Sequence, residues 1–236
     1  MKEEKDPMGM AIRDYFKTGK ASRLKVLSPD FDDDEIPVPT LFRSFQEMPP
    51  LERKALELAQ GRILDVGAGS GCHSLALQEM GKTVEAVDIS PLSVETMRER
   101  GVKIVRQEDF FQLHGEPYDT ILMLMNGSGI VGRIEKLPEF FNHIRTLLAP
   151  GGCLYMDSSD LRYLYEEEDG SFMIDLNDDY YGELEFQMQY KNVKGDLFPW
   201  LYIDFNTLQM YAEENGFHAE MVHEGDHYDY LAKIYR

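Results

Sequence analysis

The chain is 236 residues long, enough for one domain with its own core and one or two additions. Hydrophobic residues make up 43% and aromatics 11%, which excludes wholesale disorder, and no apolar run reaches the length of a membrane span. With 24 Lys and Arg against 43 Asp and Glu the formal charge is -19, which argues against nucleic acid as a partner because phosphates are repelled at long range.

Met1 to Asp6 is charged and no apolar stretch comes after it, so no export leader is expected. The cysteines Cys72 and Cys153 fall at the edges of predicted core elements rather than in a paired framework, which fits a reducing cytoplasm. Residues 1–50 read as an N-terminal lid or cap segment, with a short helix around Asp14-Tyr15-Phe16 and a polar turn over residues 28–35. Pro37, Pro39, Pro49 and Pro50 punctuate the rest of that segment. The main domain is expected over 51–236 and opens on a helix with Leu51, Ala55, Leu58 and Ala59 on one face.

A regular alternation begins there. Arg62 to Val66 reads as a buried strand ended by glycines, and a helix through Ser74 to Leu77 stops at Gly81. Thr83 to Val87 is the second strand. Ser90-Pro91 then starts a helix that Gly101 closes, because Ser caps free amides and Pro tolerates the first helical position. Strands are predicted at Lys103–Val105, Thr120–Leu124 and Cys153–Met156, with a helix carrying Phe141, Ile144, Leu147 and Leu148 before the last. Continuous apolar strands separated by helices imply an α/β fold with a doubly wound, mostly parallel sheet. Residues 161–203 read as an inserted acceptor-side hairpin: Glu183–Tyr190, a turn at Lys194-Gly195-Asp196, then Phe198–Ile203. A helix capped by Asn206 and an antiparallel strand pair, Phe217–Glu224 and Tyr228–Tyr235, end the chain.

In open α/β sheets ligands bind beyond the carboxyl ends of the strands, where the strand order reverses. Gly67, Gly69 and Gly71 stand there, and the lack of a Cβ lets backbone approach a ligand. Asp88 ends the second strand, where a carboxylate can accept from both ribose hydroxyls. A dinucleotide fingerprint would need Gly or Ala at position 72, which is Cys72. Asp65 would repel a pyrophosphate beside the loop, whereas an amino group would be welcome there.

Taken together, Ile63 to Gly71 (ILDVGAGSG) resembles the first motif of class I S-adenosylmethionine-dependent methyltransferases. Tyr118-Asp119-Thr120-Ile121-Leu122 and the Leu147 to Gly152 turn resemble that family's fourth strand and the approach to its fifth. The resemblance implies a Rossmann-like fold with an antiparallel C-terminal strand, joined here by an N-terminal helical segment and an extra β-hairpin. It implies S-adenosylmethionine as cofactor, bound by Asp65, Gly67, Ala68, Gly69 and Gly71 in the loop, by Asp88 and Ile89 at the ribose, and by Asp109 and Phe110 at the adenine. Asn126 is expected at the cleft mouth, on the methionine or acceptor side, or else as a turn residue before Gly127.

The methyl acceptor is not announced. The Asn/Asp-Pro-Pro-aromatic motif of amino-directed subclasses is absent from Met125-Asn126-Gly127-Ser128-Gly129, and Asp157 with Asp160 does not make a magnesium site, so no metal is expected. Tyr15, Arg43, Arg162, Tyr163 and Trp200 are candidates for the acceptor pocket; no catalytic side chain is singled out, and a small molecule is the expected substrate. His73 is expected either near the cofactor or simply opening its helix. The alternatives are a nicotinamide-dependent (NAD) oxidoreductase and a non-catalytic cofactor-binding protein.

Overall fold

The computed structural model describes residues 1–29, 31–165 and 179–236. The polar-turn position Asp30 and residues 166–178 of the expected insertion lie outside the described residues.

Helix α1 (Pro7–Thr18) opens the chain, longer than expected because Asp6 caps it, Pro7 starts it and Gly19 ends it in the left-handed region. Two short strands come next, β1 (Leu24–Leu27) and β2 (Asp34–Ile36), the second overlapping the end of the segment expected as a polar turn. Helix α2 (Pro50–Leu58) buries Leu51, Glu52, Ala55 and Leu56, and Leu58 packs half-buried against the same core.

The alternation then runs β3 (Arg62–Val66), α3 (Cys72–Glu79), β4 (Thr83–Asp88), α4 (Pro91–Arg100), β5 (Val105–Gln107), β6 (Tyr118–Met123), α5 (Leu137–Leu147) and β7 (Leu148–Ser159). Strand β5 starts two residues later than expected. Gly101 closes α4 in the left-handed region and the Val102 amide reaches back to the Met97 carbonyl at 3.0 Å, which buries Val102 and delays the strand. The chain ends with β8 (Glu183–Tyr190), β9 (Val193–Leu201), α6 (Phe205–Glu214), β10 (His218–Glu224) and β11 (Asp229–Tyr235).

Seven strands form the main sheet in the order β10-β11-β7-β6-β3-β4-β5. The neighbours from β5 to β7 are parallel, and β11 lies antiparallel on β7. The order reverses between β3 and β6, where the sequence places the glycines. Successive residues of a strand point to opposite faces, and both faces are covered. Leu64, Val66, Ile121 and Met123 meet Phe140, Phe141 and Ile144 of α5 and Leu208 of α6. Ile63, Val84 and Leu122 meet Leu51, Ala55 and Leu56 of α2 and Leu77 of α3.

A second sheet, order β2-β1-β8-β9, is antiparallel throughout. The extra hairpin pairs with the N-terminal strands, Leu24 opposite Tyr190. Its turn is Lys191-Asn192, with Lys191 at φ 53°, not Lys194-Gly195-Asp196. Gly195 lies within β9 because Pro7 packs where a Cβ would project. The cap of α6 is Asp204, which accepts from the Thr207 amide at 3.0 Å, rather than Asn206.

Candidate functional site

The loop after β3 is held from three sides. The Gly67 and Ala68 amides both donate to the Val87 carbonyl at the end of β4, at 2.9 and 3.1 Å. Arg100 of α4 donates to the Ser70 carbonyl at 2.6 Å, and the Ser70 hydroxyl donates to the Leu41 carbonyl of the N-terminal segment. Gly67, Gly69 and Gly71 all have positive φ, 68°, 56° and 82°. Their open sides differ. A Cβ on Gly71 would press on Met97 and Val102, whereas nothing lies closer than 3.9 Å to one on Gly69. Gly71 thus serves packing, and Gly69 faces space.

Asp88 is the best-defined group of the site. Its Oδ2 accepts from the Gly69 amide and its Oδ1 from the Ser90 amide, both at 2.8 Å. Burial pushes its pKa up to about 6, opposed by those two amides and reinforced by the nearby carboxylates Asp6 and Asp65. Each carboxylate oxygen has room for a second donor. Beside it Ile89 is 42% exposed, an apolar side chain left uncovered next to a half-buried acid. Ser90 caps α4 as expected, accepting from the Ser93 amide at 2.9 Å.

Asp65 is buried and accepts from the Ser74 hydroxyl at 2.6 Å; burial raises its pKa. At the end of β5, Asp109 accepts from the Phe111 amide at 2.9 Å, and Phe110 turns inward against Phe140 and His143.

At the end of β6 two consecutive residues, Met125 and Asn126, adopt φ of 68° and 58°. Left-handed backbone at a non-glycine residue costs on the order of 1–3 kcal/mol and concentrates at functional sites. Asp157 at the end of β7 pins this turn, its Oδ1 accepting from the Gly127 amide at 2.9 Å. Burial pushes the Asp157 pKa up to about 6. Asn126 itself accepts from the Ser159 hydroxyl at 3.1 Å.

The acceptor candidates divide. Trp200 of β9 lies flat on Gly129, where a Cβ would overlap its ring, so the second sheet closes on the turn that carries Asn126. Tyr15 packs on Phe42 with ring centroids 4.8 Å apart. Arg162 pairs with Asp160 at 2.6 Å and Tyr163 stacks on Tyr228 at 5.2 Å. A cavity of about 170 Å³ opens nearby, lined by Asp160, Arg162, Asp204, Phe205, Tyr228 and Tyr230 among others.

Arg43 is buried and turned to Glu52, with Nε at 3.0 Å from Oε2 and Nη1 donating to the Thr40 carbonyl at 2.6 Å. His73 Nε2 lies 2.9 Å from the same Glu52 carboxylate. Neither Glu52 nor Arg100 was singled out from the sequence, and no spacing signals them: each is one charged residue on an amphipathic helix. Among the described residues no group of His, Cys, Asp or Glu is arranged to hold a metal ion.

A nucleoside carrying an amino acid fits these residues. The open side of Gly69 leaves a cradle, Asp88 supplies acceptors for vicinal hydroxyls, and Ile89 offers an apolar face.

Residues 63–152 match a family described as a methyltransferase domain. A solved SAM-dependent methyltransferase from Bacteroides fragilis, in complex with S-adenosyl-L-homocysteine, is 62% identical, with a TM-score of 0.94 over 99% of this chain and 96% of that one. A ubiquinone biosynthesis O-methyltransferase of Xanthomonas euvesicatoria pv. vesicatoria (strain 85-10) is 32% identical over 114 residues, 44% of this chain and 45% of its own length. A cypemycin N-terminal methyltransferase from a Streptomyces species is 32% identical over 103 residues, 42% of each protein. The chain thus spans less than half the length of the curated relatives it matches. These likenesses displace the nicotinamide alternative. An identity of 62% sustained from end to end exceeds what a shared fold requires, and the chain belongs to the S-adenosylmethionine-dependent methyltransferases.

Proposed function

We propose that this chain methylates a small-molecule acceptor in a cleft between the carboxyl ends of β3, β4 and β6 and the second sheet. When bound, S-adenosylmethionine supplies an activated methyl group on a sulfonium sulfur. Asp88 receives the ribose hydroxyls on the lone pairs its two amide bonds leave free. Ile89 packs on one side of the adenine, and Asp109 with Phe110 takes its edge. The Gly67 to Gly71 backbone cradles the methionine end with Asp65 behind it, and Asn126 stands where methyl donor and acceptor meet. The chain's own task is to hold the acceptor in line with the methyl and keep water out. Trp200 and Tyr15, carried by the second sheet and α1, are the proposed covers.

The near full-length likeness to a methyltransferase in complex with S-adenosyl-L-homocysteine carries this reading. A small molecule is favoured over nucleic acid by the -19 charge, and the curated relatives are named for an O-methylation and an N-terminal methylation. The reducing cytoplasm is the proposed compartment, supported by two free thiols, Cys72 and Cys153. No helix among the described residues is long and apolar enough to cross a membrane. The test is incubation of the purified chain with methyl-labelled cofactor and fractionated cell extract. Label in low-mass products supports the proposal; label confined to RNA or protein overturns the substrate class.

A further inference from the structure

The cap of the first helix reaches the ribose-side acid. Asp6 is buried (1% exposed) although it stands at the N-terminus of α1. Its Oδ1 accepts from the Gly9 amide at 2.8 Å, an ordinary cap. Its Oδ2 does something else: it accepts from the Ser90 hydroxyl at 2.5 Å, eighty-four residues away. Ser90 is the residue whose amide holds Asp88 Oδ1 at 2.8 Å, and its hydroxyl also receives the Ser93 amide. One serine therefore joins the start of α1, the start of α4 and the carboxylate at the end of β4. The fit is tight, since a methyl on Gly9 would overlap both Asp6 Oδ2 and Ser90 Oγ.

We propose that Asp6 is a positioning residue for the cofactor: by gripping Ser90 it holds the Asp88–Ser90 turn in the form that receives the ribose, so cofactor affinity depends on the docked N-terminal helix. The inference rests on Asp88 being the ribose acid. A cap that served only α1 would need Oδ1 alone; the second oxygen, turned away from its own helix onto Ser90, is what ties the helix to the site. α1 is also held at its far side, where the Tyr190 hydroxyl and the Lys191 ammonium both donate to Asp14, at 2.9 and 2.6 Å. The helix is thus a strut between the second sheet and the turn beside Asp88.

Asp6 acts in two separable ways, through its hydrogen bonds and through its charge. The charged groups facing Asp88 are Asp6 from the α1 side and Asp65 from β3, both acidic. Glu108, after β5, gives its amide to the Asp88 carbonyl at 3.2 Å and turns its carboxylate to the Asp109 amide. Asp6→Asn keeps Oδ1 for the Gly9 amide, puts an NH2 that can donate to the Ser90 hydroxyl oxygen in place of Oδ2, and removes the charge; Asp6→Ala removes both hydrogen bonds and the charge.

The experiment is calorimetric titration of the full chain with S-adenosylhomocysteine between pH 5 and 8, with thermal unfolding of each variant in parallel. Asp6→Ala is expected to weaken binding about tenfold at neutral pH, the scale of one lost hydrogen bond to a charged group. Asp6→Asn should restore affinity at neutral pH and move the acidic fall in affinity to lower pH, because one negative neighbour of Asp88 is gone. Gly9→Ala keeps every polar group and favours the helix, yet its methyl wedges α1 from Ser90, so it should weaken binding without lowering stability in proportion. Wild-type affinity in both Asp6→Ala and Gly9→Ala, alongside lost binding in Asp88→Ala, overturns the inference and leaves the ribose reading intact. Undiminished binding in Asp88→Ala overturns both.

Discussion

Gly69 and Gly71 stand two residues apart in one loop and do different work. Gly71→Ala adds a methyl 2.9 Å from both Met97 and Val102 at a φ of 82°, and is expected to cost roughly 2–4 kcal/mol of stability from left-handed strain plus overpacking. Gly69→Ala meets nothing closer than 3.9 Å and should cost about 1–2 kcal/mol from strain alone. Its cofactor affinity should nevertheless fall further than its stability, because the methyl enters the cradle. Thermal unfolding and titration of the two variants separate these effects. Asp88 makes a second prediction, on pH. Its pKa lies above the ordinary value of 3.8, at about 6, so the fold binds this proton more tightly than the unfolded chain. The stability it contributes in the ligand-free protein is full below the unfolded value and is lost as pH rises through about 6. On the proposed assignment cofactor binding has the opposite sign, since ribose hydroxyls would donate to the ionised carboxylate. Affinity for S-adenosylhomocysteine should therefore decline as pH falls below about 6, while the melting-temperature contribution of this group improves. Affinity that is flat from pH 5 to 8 would contradict the assignment. All three residues stand out in the sequence, because glycines at alternate positions after an apolar strand and an acid ending the next strand are local signals.

At the scale of elements, what could not be read was whatever needed a distant partner. The main sheet is written in its strands: Ile63 and Leu64 alternate between the two cores, and β3, β4, β6 and β7 carry their own apolar runs. The second sheet is not. β1 has four residues and β2 three, and β1 is completed only by pairing Leu24 with Tyr190. The turn at Lys191 was missed because Lys194-Gly195-Asp196 looks more like a turn, while Gly195 is needed for the approach of Pro7. Helix α2 hides its most consequential residue in the same way. Glu52 resembles a solvated charge on paper, yet it is 6% exposed and receives both Arg43 and His73. Glu52→Ala would leave the Arg43 guanidinium buried without its anion, and removal of one partner of a buried pair costs about 3–5 kcal/mol. Denaturant unfolding of that variant should show a loss of this size; a loss below about 1 kcal/mol, the range of exposed pairs, would mean that the cluster is solvated.

For the whole molecule, the -19 charge sets self-repulsion. Charges beyond a Debye length are screened at about 0.15 M salt, so raising ionic strength from about 0.01 M should raise the melting temperature. A fall would mean that the ion pairs outweigh the net repulsion. On the proposed reading, the cofactor side and the acceptor side are built by different parts of the chain. The parallel strands supply Asp88 and the glycine loop, while the second sheet, made from the N-terminal segment and the β8–β9 hairpin, brings Trp200 onto Gly129. On the proposed reading the cofactor side comes from local patterns and the acceptor side from long-range pairing, which accounts for a sequence that announces the methyl donor and not the acceptor. The most direct test of the site is calorimetric titration of the purified chain with S-adenosylmethionine and S-adenosylhomocysteine, with Asp88→Ala in parallel. Micromolar binding of both ligands, lost in the variant, is the predicted result. Binding that survives in Asp88→Ala, or is absent from the unmodified chain, would contradict the placement of the cofactor at the ends of β3 and β4.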